Sequence, residues 1–261
     1  GAQDRRSAWA PLDEVLPRWV PRLLARLWLS YMRLWDRQAA ERPDVLIANS
    51  RYTAERIRKY YRKDAEVVYP PALALRTAGQ DEIILRGERK HFLIVSRLAR
   101  SKKIEPVIEA FNKLGFPLVI VGSGRDEERL RRIAGPNISF VGAPDDARLR
   151  RYYREARAVL FPSEEDFGMV AVEALSLGTP VIAYEHGGIR EILQIGETGE
   201  VFRSQTPEVI AEAVKRFAEK ESAGGYPAEK LRKSVAHFSE EAFTTALSRR
   251  IIETSEYTSV S

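Results

Sequence analysis

Short apolar runs alternate with helical patterns over most of the chain, and this alternation constrains the fold more than any other feature. Predicted strands occupy residues 91–96, 117–122, 138–141, 158–161, 180–183 and 199–202. Predicted helices occupy residues 104–114, 126–134, 147–156, 167–177, 188–193, 207–220 and 239–254. Strands and helices that alternate with short loops predict an α/β fold with a doubly wound parallel sheet. Such sheets bind ligands at the carboxyl ends of their strands.

The first quarter of the chain has a different pattern. Over residues 21–42 apolar side chains recur every three or four positions, which predicts a helix that Pro43 ends. Three short elements follow, and they are a strand at 44–48, a helix at 51–61 and a strand at 66–69. Asn49 or Ser50 can cap the helix at 51–61, because either side chain accepts a backbone N–H bond.

Composition excludes several classes of protein. The chain has 261 residues and no cysteine, which excludes a disulfide framework, a cysteine-based metal site and a thiol nucleophile. No apolar run reaches the roughly 18 residues of a membrane-spanning helix. The net charge of +5 arises in residues 1–63, which carry +7 against −2 in the remainder. Because no motif that reads nucleic acid accompanies this charge, we expect no nucleic-acid partner.

A glycine-rich turn, Gly122-Ser123-Gly124, lies between a predicted strand and a predicted helix. Such a turn lets a phosphate or a ribose approach the backbone. A dinucleotide fingerprint would have a third glycine at the position of Glu127, so the pattern disfavours a dehydrogenase. Two interpretations stay open, a tight strand-to-helix turn and a loop beside a nucleotide.

Two cations, Arg97 and Lys102, follow the strand at 91–96 and precede a helix. Their spacing lets both side chains reach the mouth of one loop. A guanidinium binds a pyrophosphate as a fork and an ammonium binds it as a point charge, so the pair suits a diphosphate. A solvated basic turn is the alternative.

Two carboxylates, Glu165 and Glu173, bracket Gly168 at the start of a predicted helix. Gly168 allows a ligand close to the backbone, and the free N–H groups of a helix start can bind oxygens. A carboxylate on the inner face of the helix needs a polar partner, and sugar or ribose hydroxyls are suitable donors. The alternative is a helix-capping acid with a second acid on the surface.

A further pair of glycines, Gly187 and Gly188, opens the short predicted helix at 188–193. The pair offers a second helix start that suits phosphate. We interpret His186, in the same loop, as a turn residue rather than a catalyst, and His91 and His237 as structural residues.

Taken in order along the chain, these segments resemble the group 1, or family 4, glycosyltransferases of GT-B fold. The matching segments are 96–102, 108–111, 117–124, 137–142, 149–152, 161–163, 165–174, 178–182, 187–191 and 198–199. Residues 49–57 and 165–170 are most similar to the branch of GDP-mannose-dependent mannosyltransferases. The resemblance covers about residues 44–220 and implies a Rossmann-like donor domain, the C-terminal domain of a GT-B enzyme.

The resemblance implies a role for each matching residue. Arg97 and Lys102 would hold the donor diphosphate and stabilise the leaving nucleotide. Glu165 would contact the transferred sugar, and Glu173 would bind the ribose hydroxyls. The other donor-binding residues that the resemblance implies are Gly122, Gly124, Phe140, Val141, Gly142, Phe167, Gly168, Met169, Val170, Gly187 and Gly188.

The resemblance also implies a reaction. A sugar, here mannose from GDP-mannose, would pass to a glycan or a lipid-linked acceptor with retention of configuration, without a cofactor or an obligatory metal. The family often has glycine at the position after the motif lysine, where this chain has Lys103. This departure resembles the variant found in the mannosyl branch. We hypothesise that the acceptor hydroxyl attacks from the same face as the leaving phosphate. Positive side chains and helix starts would stabilise the departing charge.

A GT-B enzyme has two Rossmann-like domains, and the resemblance divides this chain accordingly. The parts are the tail of an acceptor domain at 1–70, a linker at 71–81, the donor domain at 82–238 and a returning helix at 239–261. We expect such a chain to bind the donor but to transfer poorly without a separate N-terminal-domain partner. A nucleotide-sugar-binding module that is incomplete for catalysis is the alternative function.

The basic helix at 21–42 has two interpretations. Its arginines follow one stripe, and Trp28 and Trp35 follow another, which suits a peripheral contact with the inner face of a membrane. The favoured interpretation is a helix packed on the sheet of the acceptor domain, with its arginines extended to solvent. We expect a cytoplasmic protein under either interpretation.

Overall fold

The computed structural model describes residues 22–71 and 89–258 of the chain. The helices are α1 Arg22–Ala39, α2 Arg51–Tyr61, α3 Ile104–Leu114, α4 Glu127–Ile133, α5 Asp146–Glu155, α6 Met169–Ser176, α7 Pro207–Ser222, α8 Ala228–Ser234 and α9 Glu240–Thr258. The strands are β1 Ile47–Ala48, β2 Glu66–Val67, β3 His91–Val95, β4 Leu118–Val121, β5 Ile138–Phe140, β6 Ala156–Phe161, β7 Val181–Tyr184 and β8 Gly199–Phe202. Two 3-10 turns, Arg100–Lys102 and Gly188–Glu191, complete the elements. Most of the predicted linker lies outside the described residues.

Six of the strands form one parallel sheet in the order β5-β4-β3-β6-β7-β8. This order confirms the predicted doubly wound α/β fold. The chain runs outward from β3 through β4 to β5 and then returns to place β6 on the other side of β3. The order therefore reverses between β3 and β6, and a doubly wound sheet has its ligand crevice at the carboxyl ends of those strands.

The core lies around the central strands. Phe92 and Leu93 of β3 are fully buried, as are Phe111 of α3 and Phe217 of α7. The rings of Phe92 and Phe111 meet edge to face with their centroids 5.2 Å apart. Burial of each such side chain contributes about 1.5–3 kcal/mol, so this cluster fixes the sheet that carries the loops of the crevice.

The N-terminal segment forms a second, much smaller sheet. Strand β1 pairs with β2 in parallel, with Ile47 opposite Glu66 and Ala48 opposite Val67. The strand predicted at 44–48 is thus only two residues long, and Ile47 is 44% exposed rather than buried on both faces. The reason is that β2 is the only strand pairing with β1 within the described residues, so no wider sheet covers that side chain.

Helix α1 presents its apolar stripe to solvent. The side chains on this stripe, each at least half exposed, are Leu24, Leu27, Trp28, Tyr31, Leu34 and Trp35. No helix among the described residues is long and apolar enough to cross a membrane. The structure thus leaves the predicted packing surface of this helix unoccupied by the described part of the chain.

Two elements differ from the sequence prediction. The helix expected at 188–193 is a single 3-10 turn, because its backbone is held against another loop, as described below. Helix α8 was not predicted, since only Leu231 among its seven residues is both apolar and buried. Ala228 at its start lies against Gly178, where an added Cβ would be 2.9 Å from the Ala228 Cβ.

Candidate active site

Two loops meet at the crevice between β3 and β6. The Lys102 Nζ, at the end of the loop after β3, donates to Glu165 Oε1 in the loop after β6 at 2.7 Å. The hydroxyl of the buried Ser163 donates to the same oxygen at 2.8 Å. Lys102 and Glu165 are 24% and 30% exposed, so a ligand can reach both side chains. The strand order therefore places opposite charges at the edge where such sheets bind ligands.

Arg97 lies at the mouth of the same loop. Its side chain is exposed and forms no ion pair within the described part of the chain. Lys103, next to Lys102, adopts the left-handed conformation with φ 54° and turns the chain into α3. The loop thus presents one paired cation and one unpaired cation, and convergence of Arg97 and Lys102 on a diphosphate stays a prediction.

The glycines of the turn after β4 are explained by the backbone that they touch. A Cβ on Gly122 would lie 1.9 Å from the Ser96 carbonyl oxygen, and one on Gly124 would lie 2.2 Å from the Leu98 carbonyl oxygen. The Leu98 N–H donates to the Ser123 carbonyl at 2.9 Å. These contacts fix the loop that carries Arg97. The turn is therefore tight for structural reasons, and contact of either glycine with a donor is a separate prediction.

The turn after β5 lies beside this glycine turn. The Gly122 N–H donates to the Gly142 carbonyl at 2.6 Å, and the Val141 N–H donates to Ile120 at 3.0 Å. The Arg131 guanidinium lies 4.6 Å from the centroid of the Phe140 ring and occupies one of its faces. A Cβ at Gly142 would have no neighbour within 4 Å. Space is therefore open beside this turn, whose residues are among those that the resemblance implies for donor binding.

Gly168 begins helix α6 with φ 117°, which disfavours any side chain at this position. The partly exposed Met169 and Val170 form the first turn of the helix, where backbone N–H groups have no acceptor within the helix. These N–H groups can bind sugar or phosphate oxygens. Phe167 is only 3% exposed, and its ring packs 5.2 Å from that of Phe238. Its contribution in this structure is packing beneath the loop.

Glu173 is partnered by a buried phenol. The Tyr153 hydroxyl donates to Glu173 Oε2 at 2.8 Å, and Tyr153 itself is fully buried. Burial raises the pKa of Glu173, and the bond from Tyr153 lowers it only in part. The other oxygen, Oε1, accepts no hydrogen bond from the described residues. Contact of this oxygen with a ribose hydroxyl stays a prediction.

Gly187 and Gly188 bind the site loop through its backbone. The Gly188 N–H donates to the Glu165 carbonyl at 2.9 Å, and Gly187 forms a parallel bridge with Glu165. A Cβ on either glycine would lie 2.3 Å from a carbonyl oxygen of the Glu165–Asp166 segment. A 3-10 turn follows instead of the predicted helix, and contact of these glycines with a phosphate stays a prediction. His186 is exposed and stacks on Tyr184 at 4.7 Å between ring centroids.

Sequence reasoning missed how the N-terminal segment contacts this site. Glu191 accepts the first backbone N–H groups of α2, from Arg51 and Tyr52, at 2.9 Å each. Of the two predicted caps it is Ser50 that caps α2, accepting the Thr53 N–H at 3.0 Å, and it also contacts the site loop. The only sequence signal was the position of Glu191 three residues after Gly188. A long-range partner could not be inferred from it.

The described residues contain no group of three or more histidine, aspartate or glutamate side chains placed to hold a metal ion. Arg97, Lys102 and Glu165 lie on the two loops that meet at the crevice, and Glu173 lies in the second turn of α6, the helix that follows. Cations suit a phosphate-containing ligand and carboxylates suit hydroxyl groups. Fold and site together define an α/β protein with a crevice whose charges suit a phosphorylated, hydroxyl-rich ligand.

Comparison with known proteins identifies the family. Residues 77–241, more than half of the chain, match the family model described as "Glycosyl transferases group 1". The chain therefore belongs to the group 1 glycosyltransferases, and its sheet is that of a GT-B glycosyltransferase. This finding confirms the resemblance at the level of the family and the fold.

Three relatives illustrate the match. A phosphatidyl-myo-inositol mannosyltransferase of Mycobacterium leprae is 38% identical over 113 residues, which are 41% of this chain and 29% of that protein. A D-inositol 3-phosphate glycosyltransferase of Mycobacteroides abscessus is 29% identical over 210 residues, 72% of this chain and 47% of that protein. A solved sucrose-phosphate synthase of Thermosynechococcus elongatus superposes with a TM-score of 0.73 at 23% identity, over 86% of this chain and 62% of that one. The chain spans less than two thirds of the length of each of these three proteins.

Proposed function

We propose that this chain binds the nucleotide-sugar donor of a glycosyltransferase that transfers mannose from GDP-mannose to a glycan or a lipid-linked acceptor. The observation that carries this proposal is the contact between Lys102 and Glu165 at the reversal of strand order. It places a cation for a diphosphate next to a carboxylate for a sugar, and both are open to solvent. The similarity to a mannosyltransferase of Mycobacterium leprae supports mannose as the sugar.

The proposed division of labour follows from the charges. Lys102 and Arg97 neutralise the diphosphate, which becomes more negative as the bond to the sugar breaks. Glu165 accepts hydroxyl hydrogen bonds from the sugar, and Glu173 accepts them from the ribose through its free oxygen. The first turn of α6 donates backbone N–H groups to the oxygens between them.

We further propose transfer with retention and without an obligatory metal. The bond between the anomeric carbon and the phosphate oxygen breaks while the acceptor oxygen bonds to that carbon from the same face. The proton of the acceptor hydroxyl passes to the departing phosphate oxygen. An inverted anomeric configuration in the product would contradict this step.

The test is a thermal-shift titration of the purified chain with GDP-mannose, GDP, UDP-glucose, UDP and NAD. A ligand that binds only the folded state raises the unfolding midpoint, by the equivalent of about 2.7 kcal/mol at a hundredfold excess over its Kd. We expect a shift with GDP-mannose that Arg97→Ala and Glu173→Ala abolish. A shift with UDP-glucose alone would keep the glycosyltransferase and replace the donor. No shift with any ligand would contradict donor binding by this chain.

A further inference from the structure

Three consecutive acids follow β6, and their partners lie on opposite sides of the loop. Glu165 faces Lys102 in the crevice, as described above. Glu164 instead accepts a hydrogen bond from the Tyr52 hydroxyl, and Asp166 forms an ion pair with Arg56. The bridge between Glu165 and Gly187 shows that the loop is extended there. Neighbouring side chains of an extended segment point in opposite directions, so the outer two acids face α2 when the middle one faces the site.

The backbone of the same loop is also held by the N-terminal segment. The Ser50 hydroxyl, which is fully buried, lies 2.5 Å from the Asp166 carbonyl oxygen and donates to it. Next to this loop, the Glu191 carboxylate accepts N–H groups from the start of α2, and the Tyr69 hydroxyl donates to it at 2.9 Å. A carboxylate at a helix start is favoured by the helix dipole and by charge-assisted hydrogen bonds.

These contacts form a clamp, which we define as Ser50, Tyr52 and Arg56 on the N-terminal segment together with Glu164, Asp166 and Glu191 on the donor domain. An isolated surface ion pair contributes little, about 0–1 kcal/mol. Here a hydrogen bond to the Glu164 carboxylate, an ion pair with Asp166 and a buried hydroxyl on the Asp166 carbonyl hold both neighbours of Glu165. Such convergence removes the freedom of the peptide on both sides of Glu165.

We propose that α2 is a positioning element of the donor site, and that Tyr52, Arg56 and Glu191 hold Glu165 in register with Lys102. This proposal rests on the proposed function, because it assigns these residues to donor binding. It makes the affinity for the sugar part of the donor depend on docking of residues 49–69. Without the clamp Glu165 would no longer be held where it can accept hydrogen bonds from the sugar, so binding of GDP-mannose should weaken more than binding of GDP.

The experiment is a double-mutant cycle on the chain, with the ratio of the Kd for GDP to the Kd for GDP-mannose as readout. We expect Arg56→Ala to reduce this ratio about tenfold in the wild-type background and less than about twofold in a Glu165→Gln background. Arg56→Lys, which keeps the charge, should restore part of the ratio. Glu208→Gln, which breaks the exposed pair with Lys113, is the matched control and should leave the ratio unchanged.

Hydrogen exchange of the ligand-free chain provides the second readout. We expect faster exchange in the peptide at 163–170 for Arg56→Ala and Glu191→Gln, and no change for Glu208→Gln. Equal loss of the ratio in both backgrounds, or unchanged exchange at 163–170, would overturn the positioning role alone. Absence of GDP-mannose and GDP binding to the wild-type chain would overturn the proposed function and this inference with it.

Discussion

Glu165 is the residue at which the interactions of the site converge. It accepts hydrogen bonds from Lys102 and Ser163, and its carbonyl accepts one from Gly188. In the ligand-free chain its charge balances that of Lys102. A donor diphosphate would therefore compete with Glu165 for the ammonium group of Lys102. The sugar of the donor would lie against the Glu165 carboxylate.

Replacement of Glu165 by glutamine separates these two effects. The change removes the negative charge beside Lys102 but leaves an acceptor for its ammonium group. We expect GDP to bind about threefold more tightly, since a carboxylate no longer competes with the diphosphate. We expect GDP-mannose to bind more weakly, because the sugar loses its charged acceptor. Calorimetric titration measures both ligands, and changes of the same sign for the two would contradict this account.

Glu173 gives a pH-dependent prediction. Burial raises its pKa in the folded chain above the ordinary 4.5, so the fold loses stability as the pH rises above 4.5, and the loss is complete above the folded pKa. Below the ordinary pKa both states are protonated and this destabilisation is absent. We expect Glu173→Gln, which still accepts the Tyr153 hydroxyl, to be more stable than wild type at pH 7. The gain should disappear toward pH 4 in urea unfolding, and a gain independent of pH would contradict the assignment.

At the scale of the elements, the loops of the crevice are held together by backbone contacts. The turn after β4 packs on the loop after β3 at Gly122 and Gly124, and the turn after β7 packs on the loop after β6 at Gly187 and Gly188. A side chain at any of these positions would have to displace backbone atoms. The glycines therefore fix the geometry of the site whichever ligand it takes.

Gly124→Ala tests this packing. Its Cβ would lie 2.2 Å from the Leu98 carbonyl oxygen, between Arg97 and Lys102 in the sequence. We expect a loss of more than about 2 kcal/mol in the free energy of unfolding, with loss of GDP binding. The control is Gly115→Ala, which has φ 72° but no neighbour within 4 Å. Its cost should be about 1 kcal/mol. Equal losses for the two variants, from urea unfolding curves, would contradict the packing argument.

The sequence predicted elements well where periodicity and caps are strong. The bounds of α2, α3 and β8 agree with the prediction, and Ser50, one of the two predicted caps, caps α2. Helix α8 was not predicted, because a seven-residue helix with one buried apolar side chain has little periodicity. The hydrogen bond between Tyr153 and Glu173 was not predicted either, because in the sequence Tyr153 looks like an ordinary apolar position of α5. The two residues lie on different helices, and the folded structure brings the Tyr153 hydroxyl to Glu173.

At the scale of the whole molecule, the family and the donor-domain fold could be inferred from motifs in order along the chain. The contact between the N-terminal segment and the crevice could not. Glu191 and Arg51 are 140 positions apart, and no local pattern relates them. Mannose as the donor sugar was inferred from the similarity of residues 49–57 and 165–170 to one branch of the family, and it stays a proposal.

The exposed stripe of α1 gives a prediction at this scale. Leu27 and Leu34 are 60% and 57% exposed, and two tryptophans lie beside them. We expect the chain to enhance the fluorescence of an apolar dye such as anilinonaphthalene sulfonate. Leu27→Gln with Leu34→Gln should reduce that signal and leave GDP binding unchanged. The control is Ile251→Gln on α9, which is 61% exposed and should change the signal less. An unchanged signal in the double variant would show that this stripe is covered.

The central claim is that the crevice between β3 and β6 binds the diphosphate of a nucleotide-sugar donor through Lys102. The most direct measurement is the Kd of GDP-mannose for wild type, Lys102→Met and Lys113→Met. Both lysines form an ion pair with a glutamate, at 2.7 Å and 2.8 Å, but only Lys102 lies in the crevice. We predict that Lys102→Met weakens binding by at least about tenfold, equivalent to 1.4 kcal/mol, and that Lys113→Met does not. Equal affinities for all three proteins would contradict the claim.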